Sequence, residues 1–232
     1  CPQHLRGIES LHITAAPVSN EPYLIAEKKK KKKAAAMANH ELGVLPSEIY
    51  PAILQACDRL IEGQYLDQFP TDMIQGGAGT STNMNVNEVL ANVALEIMGH
   101  PKGAYNIISP NDHINCSQST NDAYPTAFRV ALIHRMMDYR QIMLNLVDAF
   151  NAKGEEFADV LKMGRTHLQE AVPMSMGAEF KGFGNNLLEE IDRIDASTRL
   201  LKEVNMGATA IGTSVNAPTG YPQLVVRYLA EL

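Results

Sequence analysis

The feature that most constrains the fold is a long stretch of apolar residues at helical spacing, running from about Pro125 to Ala158. Large side chains recur there every seven residues, at Met136, Met143, Phe150 and Phe157. A second row lies beside them, formed by Val130, Ile133, Met137, Leu144 and Val147. An apolar face this wide predicts a helix of about 30 residues, buried against several neighbours rather than one.

Helical composition recurs along most of the remaining chain. We expect irregular structure at residues 1–20, a long polar loop at residues 100–124, and four more helices: Glu21 to Leu42, a Ser47-capped helix reaching Ile61, Met84 to Met98, and Pro173 to Val204. No segment has the convincing period-two alternation of apolar residues that a strand produces. The predicted fold class is mostly α, with very long bundle helices of a kind that often form oligomers.

The charge balance is acidic once one unusual segment is set aside. Six of the 20 basic residues form a lysine run at residues 28–33, so the remaining 14 face 26 acidic residues. This balance argues against a nucleic-acid partner. Six consecutive lysines surround a helix completely, and like charges repel at i, i+4. We therefore favour an exposed, partly frayed or loop-like run, with a polyanion contact or a sequence artefact as alternatives.

The cysteines and the apolar segments bear on location. Cys1, Cys57 and Cys116 are odd in number and widely spaced, which is typical of free thiols in a reducing compartment. The sequence has no apolar run long enough to span a bilayer and no leader-like start. We expect a cytoplasmic protein with no membrane partner. Because the chain starts at Cys1 and stops inside a helical pattern at Leu232, we also expect a piece of something longer.

Three polar clusters precede or connect the long helices, at residues 76–83, 119–122 and 164–167. The second offers Ser119, Thr120 and Asn121 as uncharged donors where a helix begins. Unpaired backbone N–H groups and the helix dipole add to them, which suits a carboxylate. Each cluster also has a purely structural interpretation. The first could be a plain turn, the second an N-cap box, and the third could contain a structural His167. One cap needs one polar residue, so the surplus in the second cluster favours function.

Together the clusters fit one kind of chemistry, the removal of a proton next to a carboxylate. The enolate-like intermediate of such a reaction needs preorganised donors. Hydroxyl and amide groups with one imidazole, that of His167, would serve without a cofactor. The histidines form no metal-binding pair, and residues 76–83 lack the third glycine of a dinucleotide loop and the Gly-Lys of a P-loop. We therefore predict neither a metal site nor a nucleotide cofactor.

Four longer motifs carry a resemblance to a known family, at residues 76–88, 110–113, 118–122 and 164–169. They resemble the aspartase/fumarase superfamily, and the similarity extends through nearly the whole chain. The Asp-Gln-Phe-Pro sequence at residues 67–70, the Gly-Gly-Ala-Gly form of the first loop and residues 205–212 look most like the aspartate ammonia-lyase branch.

This resemblance implies a homotetramer with long central helices and active sites assembled from three subunits. It implies substrate binding of a dicarboxylate by Thr80, Ser81, Ser119, Thr120 and Asn121, and a catalytic role for Thr166 and His167. It implies no metal or other cofactor. We expect residues 1–118 to form an N-terminal helical domain with a substrate loop. Residues 119–232 would begin the central helical bundle, which would be truncated.

The resemblance also identifies a part that these 232 residues lack. In the superfamily a serine on a mobile loop is the base, within a Gly-Ser-Ser-x-Met-Pro-x-Lys-x-Asn-Pro motif whose lysine binds the other carboxylate. That motif does not occur in the sequence. We expect it beyond Leu232, and we expect the present chain alone to be inactive, because substrate binding by itself does not accelerate a reaction.

Three functions therefore stay open. The leading hypothesis is the aspartate ammonia-lyase reaction, a reversible elimination of ammonia from L-aspartate to give fumarate. The same chemistry also fits fumarate hydratase. The third hypothesis is a non-catalytic helical assembly module that keeps the fold without the base.

Overall fold

The computed structural model describes residues 2–10, 12–75 and 79–232, and helices dominate them. The helices are α1 (Pro2–Ser10), α2 (Pro22–Glu41), α3 (Tyr50–Ile61), α4 (Thr80–Ile97), α5 (Thr120–Glu156), α6 (Met176–Leu200) and α7 (Tyr221–Glu231). Two strands, β1 (Leu161–Thr166) and β2 (Gln169–Ser175), form an antiparallel hairpin. A short π-helix spans Pro110–Ile114. The mostly α fold class is confirmed.

The longest helix, α5, begins at Thr120 rather than at Pro125, so it contains a proline near its start. A proline has no N–H to donate to the carbonyl four residues earlier, which here belongs to Asn121. That carbonyl oxygen instead accepts a hydrogen bond from Nδ2 of Asn205 at 3.1 Å. The helix can therefore start early because a side chain from a distant loop replaces the missing backbone donor.

The chain divides into two compact units, Cys1–Leu132 with Val204–Leu232, and Ile133–Glu203. In the first unit α2 packs against α3 and α7, and α4 packs against α1 and α3. Its largest core side chains are fully buried and include Ile25, Ile53, Leu60, Phe69, Leu90, Leu95 and Ile108. The domain boundary that we expect after Gln118 stays a prediction.

In the second unit α5 pairs with α6 through residues of the predicted heptad rows. Met143 and Val147 are buried with Ile191. Phe150 forms an aromatic cluster with Phe157, Phe180 and Phe183, with ring centroids 5.5 to 6.3 Å apart. Other apolar side chains of the two helices face outward in this chain, namely Met137, Ile142, Leu146 and Leu188. The wide apolar face is thus only partly covered within one chain.

Several predicted boundaries are wrong. Residues 1–20 are not wholly irregular, because α1 occupies Pro2–Ser10. Ser47 does not cap α3, which begins at Tyr50 without a side-chain cap. The helix expected from Pro173 starts at Met176, because Pro173 lies in β2. The hairpin itself was not expected.

The prediction of an exposed lysine run is also wrong. The run lies inside α2, where Lys28, Lys29, Lys31 and Lys32 are buried. The amines of Lys29 and Lys32 meet acceptors instead of water, since Lys29 donates to the carbonyl of Leu60 and Lys32 donates to two side-chain amide oxygens. Long side chains can cross a core when their polar ends find such partners.

The sequence predicts no segment that spans a membrane. Within the part of the chain that the structure describes, no helix combines the length and the apolar character needed to cross a bilayer.

Candidate active site

The start of α5 forms a capping box around Ser119. Its hydroxyl accepts a hydrogen bond from the backbone N–H of Asn121 at 3.2 Å. In return Oδ1 of Asp122 accepts from the backbone N–H of Ser119 at 2.9 Å. Reciprocal bonds of this kind are a local device for starting a helix. Two of the four residues in the second cluster therefore serve the helix start itself.

Asp122 also fixes a distant loop to this helix start. It is fully buried, and its Oδ2 accepts from the backbone N–H groups of Gly207 at 3.0 Å and of Thr209 at 2.9 Å. Nearby, Nδ2 of Asn121 donates to the carbonyl of Ala210 at 2.9 Å. The loop at residues 205–210 thus holds Asn121 at the start of α5, where the side chain is exposed.

The structure brings the starts of α4 and α5 together. Thr80 and Ser81 lie in the first turn of α4, and Asn83 of the same turn donates from Nδ2 to Oγ1 of Thr120 at 3.3 Å. Thr80, Ser81, Ser119, Thr120 and Asn121 therefore belong to one region of the first unit. Each has neutral donors at a helix N-terminus, where an anion is favoured.

Gly79 allows the two helix starts to approach each other. It precedes α4 with φ of +81°, and a Cβ added there would lie 2.1 Å from Cδ2 of Tyr124 in α5. Both the backbone angle and the contact require glycine at this position. The other residues of the predicted glycine-rich loop, Gly76, Gly77 and Ala78, lie outside the described residues.

Thr166 and His167 lie in the second unit, at the turn of the hairpin. Thr166 ends β1 and pairs with Gln169, and the two turn residues His167 and Leu168 have φ of 48° and 62°. Two consecutive left-handed residues are the conformation of a tight two-residue hairpin turn. The side chains of Thr166 and His167 are both exposed.

Helix α2 contributes buried ionisable side chains near the start of α5. Burial lowers the pKa of Lys31 to about 7, although the Asp122 carboxylate and a hydrogen bond with Lys32 oppose the shift. Burial, together with the charge of Lys31, holds the pKa of Lys32 well below its ordinary value. On the side of α7, burial and Asp122 raise the pKa of Tyr221. Burial thus favours the neutral form of both amines, and a neutral amine still carries N–H donors.

The residues that support this site were given no role from the sequence, although three of them lie within the predicted motifs. They are Asn83 and Asn87 of α4, Asn115 before α5, Asp122 and Lys32. A signal was present, because Asn83 and Asn87 are four positions apart and so share one face of a helix. Both are buried, and a buried asparagine in a helix interior needs a specific partner.

A separate cavity of about 690 Å³ is lined by residues such as Tyr65, Asn92 and Tyr105. None of the predicted site residues lines it. Among the described residues, no group of three or more histidine, cysteine or carboxylate side chains is arranged to hold a metal ion.

Comparisons with known proteins agree with the motif resemblance. A family model described as "Lyase" matches residues 6–232. Aspartate ammonia-lyase from Pseudomonas aeruginosa is 52% identical over 231 residues, which are 99% of this chain and 49% of that protein.

Two solved structures have the same fold as this chain. The cobalt-bound crystal structure described as fumarate lyase:delta crystallin from Brucella melitensis is similar with a TM-score of 0.93 and 47% identity, covering 99% of this chain and 50% of that one. A class II fumarase from Schistosoma mansoni is similar with a TM-score of 0.87 and 34% identity, covering 99% and 48%.

The chain spans about half the length of the curated relatives that it matches. The matched residues include both predicted substrate-binding helix starts and the hairpin turn. The resemblance to the aspartase/fumarase superfamily is confirmed, and the chain belongs to the lyase family whose model it matches from residue 6 to residue 232.

Proposed function

We propose that this protein is an aspartate ammonia-lyase, which eliminates ammonia from L-aspartate to give fumarate in a reversible reaction. The observation that carries the proposal is the meeting of the α4 and α5 N-termini, where the amide of Asn83 contacts the hydroxyl of Thr120. Two helix starts with neutral donors favour a bound carboxylate. The 52% identity to an aspartate ammonia-lyase supports this choice among lyases.

In the proposed reaction a proton leaves the carbon next to a carboxylate, and ammonia leaves the neighbouring carbon as the double bond forms. Negative charge develops on that carboxylate in the transition state. We assign its stabilisation to Ser119, Thr120 and Asn121 together with Thr166 and His167, because hydrogen-bond donors lower the barrier most where charge develops. Thr80 and Ser81 are assigned to substrate binding beside them.

The proposal assigns the base to the superfamily's serine loop, which we place outside these 232 residues. The elimination changes no oxidation state overall, so it needs no redox cofactor. The reaction still needs a preorganised site, and the hairpin turn and the two helix starts provide rigid positions for the side chains named above.

We further propose that the full-length protein is a cytoplasmic homotetramer in which three subunits contribute to each site. Support comes from the uncovered apolar side chains of α5 and α6, such as Met137 at 62% exposure and Ile142 at 65%. Contiguous exposed apolar surface is typical of a protein interface. Cys57 and Cys116 are free thiols, as in a reducing compartment.

The test is fumarate formation by the full-length protein, followed by ultraviolet absorbance with L-aspartate and with L-malate in parallel. We expect turnover of L-aspartate. Turnover of L-malate alone would favour fumarate hydratase, a second candidate that the similarity to the Schistosoma mansoni fumarase supports. A stable oligomer that consumes neither substrate would favour the non-catalytic helical module.

A further inference from the structure

We infer that Lys32 is a positioning residue that sets the direction in which the Thr120 hydroxyl donates its proton. This inference rests on the proposed function, because it gives Thr120 a dicarboxylate to bind. The motifs did not indicate that the lysine run of α2 belongs to the site. Lys32 connects that run to the start of α5. The link passes through two asparagines, Asn115 and Asn83.

The first link is between Lys32 and two amide oxygens. Nζ of Lys32 donates to Oδ1 of Asn115 at 2.8 Å and to Oε1 of Gln118 at 2.9 Å. Lys32 is 1% exposed, so water does not compete for these bonds. Gln118 immediately precedes the helix cap Ser119, and Nδ2 of Asn115 also donates to the backbone carbonyl of Gln118 at 3.2 Å. Lys32 thus ties the segment before α5 to α2.

The second link crosses from Asn115 to α4 and back to α5. Oδ1 of Asn115 accepts from Nδ2 of Asn83 at 3.1 Å and from Nδ2 of Asn87 at 3.2 Å. The same Nδ2 of Asn83 lies 3.3 Å from Oγ1 of Thr120. A continuous chain of hydrogen bonds therefore runs from Lys32 through Asn115 and Asn83 to Thr120.

The donor and acceptor directions in this series of hydrogen bonds follow from Lys32. An asparagine can present either its oxygen or its nitrogen, and its orientation is set by its partners. Nζ has at least two N–H groups whether it is charged or neutral, and it uses them to hold both amide oxygens towards itself. With Oδ1 of Asn115 fixed as an acceptor, Asn83 must offer Nδ2.

Thr120 is at the end of this sequence of constraints. Because Asn83 presents an N–H, Oγ1 of Thr120 accepts there, and the hydroxyl proton is left to point elsewhere. A carboxylate has acceptors only, so it needs that proton. Without Lys32, the side-chain amides of Asn115 and Asn83 can flip, which exchanges their oxygen and nitrogen positions. Thr120 can then donate its proton to Oδ1 of Asn83 instead of to the substrate.

Lys28 provides the matched control. It lies one turn earlier in α2 and is equally buried, at 2% exposure. Its Nζ has no hydrogen-bond partner among the described residues and sits 3.9 Å from the centroid of the Tyr124 ring. Replacing it removes a buried amine without touching Asn115 or Asn83.

The experiment measures succinate binding to the full-length protein by calorimetry, since succinate is a dicarboxylate that cannot undergo the elimination. We expect Lys32→Met to weaken succinate binding about tenfold, the effect of losing one hydrogen bond to a charged ligand, and Lys28→Met to weaken it less than about twofold. In a Thr120→Val background, Lys32→Met should cause no further loss, because the two substitutions act through one contact.

A second variant keeps the test independent of the folding of Lys32→Met. Asn83→Asp presents only acceptors to Thr120, so it forces the hydroxyl to donate inward and should also weaken succinate binding. Parent-like affinity in Lys32→Met or Asn83→Asp, or additive effects of Lys32→Met and Thr120→Val, would overturn the inference. Failure of both variants to fold would overturn it as well, since the network would then be purely structural.

The outcomes separate this inference from the proposed function. A parent that binds succinate but does not convert L-aspartate would contradict the lyase assignment alone, and the binding comparison would still decide the role of Lys32. A parent that does not bind succinate at all would contradict the role given to Lys32 and Thr120.

Discussion

Asp122 combines more structural tasks than any other residue of the predicted second cluster. Its carboxylate accepts from three backbone N–H groups, those of Ser119, Gly207 and Thr209, at 2.9 to 3.0 Å. It is also the acidic group whose charge favours the protonated form of Lys31. A carboxylate suits this position because it offers acceptors on both oxygens and carries the charge that a buried amine needs.

Replacing Asp122 with asparagine tests this role. We expect Asp122→Asn to lower the free energy of unfolding by about 3 kcal/mol, because the new Nδ2 faces a backbone N–H and the buried amine loses its counter-charge. Urea denaturation of the full-length protein measures the change. Asp148→Asn, an exposed position in α5, is the matched control and should leave stability unchanged. Equal stability of both variants would contradict the account of Asp122.

At the scale of elements, helix ends were the best predicted from sequence. Gly43 and Gly99 mark the ends of α2 and α4, and both have positive φ, 71° and 77°. Glycine adopts this conformation without a Cβ penalty, so the signal is local and can be recognised in a sequence. The start of α5 was predicted at Pro125 instead of Thr120. Asn205 donates to the carbonyl of Asn121, which Pro125 leaves without a backbone donor, and it comes from a distant part of the chain.

The hairpin carries none of the usual strand signals. Gly164 and Pro173 interrupt its strands, and the register shifts between Met163 and Arg165. Most of its side chains are exposed, so no apolar face selects an alternating pattern. Its turn consists of His167 and Leu168 rather than the Asn-Gly pair that such turns favour.

The burial of the lysine run depends on partners that no local pattern indicates. The acceptors of Lys29 and Lys32 come from α3 and from the segment before α5, at Leu60, Asn115 and Gln118. Composition alone favours exposure for six lysines, and only the tertiary fold identifies the polar groups that reverse this. Of the candidate site, the residues that we propose to bind the ligand follow from the motifs, whereas Lys32 and Asn115, which we propose to orient them, do not.

Two glycines of α6 give a matched test of helix packing in the second unit. A Cβ at Gly177 would lie 2.3 Å from the carbonyl oxygen of Gly154 and 2.9 Å from Cα of Ala158, whereas a Cβ at Gly182 would meet nothing within 4 Å. We expect Gly177→Ala to lower the free energy of unfolding by about 1–3 kcal/mol, the usual effect of overpacking.

Gly182→Ala should raise that free energy by about 0.5–1 kcal/mol, because alanine is the better helix former. Thermal melting of the two variants beside the parent measures both changes. Both glycines lie in one helix, so the comparison isolates the contact with Gly154 and Ala158 from helix propensity. An unchanged or higher melting temperature for Gly177→Ala would contradict the close approach of the two segments.

For the molecule as a whole, the buried amines link stability to pH. Lys31, Lys32 and Tyr221 are buried within the electrostatic reach of Asp122, and the buried Lys28 is a neighbour of Lys31. Burial lowers the pKa of all three lysines, and for Lys31 the folded value is about 7 against an ordinary 10.5. The net charge of −6 says nothing about this cluster, because it does not distinguish buried amines from exposed ones.

The sign of the pH effect follows from the proton count. Between about pH 7 and pH 10.5 the unfolded chain keeps a proton on Lys31 that the folded chain has lost, so the unfolded state binds more protons. The free energy of unfolding then increases with pH, by up to about 1.4 kcal/mol per pH unit for each such group. The penalty for burying the charged amine is fully present below pH 7 and is relieved as the pH rises.

Urea denaturation of the full-length protein between about pH 7 and pH 9 measures this slope. We expect stability to rise with pH in the parent and to rise less in Lys31→Met, because that variant has no proton to lose at this position. Lys102→Met is the control, since Lys102 is exposed and 3.7 Å from Glu96, and it should keep the slope of the parent. Stability that stays level or falls over this range would contradict this account. The buried amines would then keep their protons, because Asp122 and the neighbouring amides stabilise the charged amines in the core.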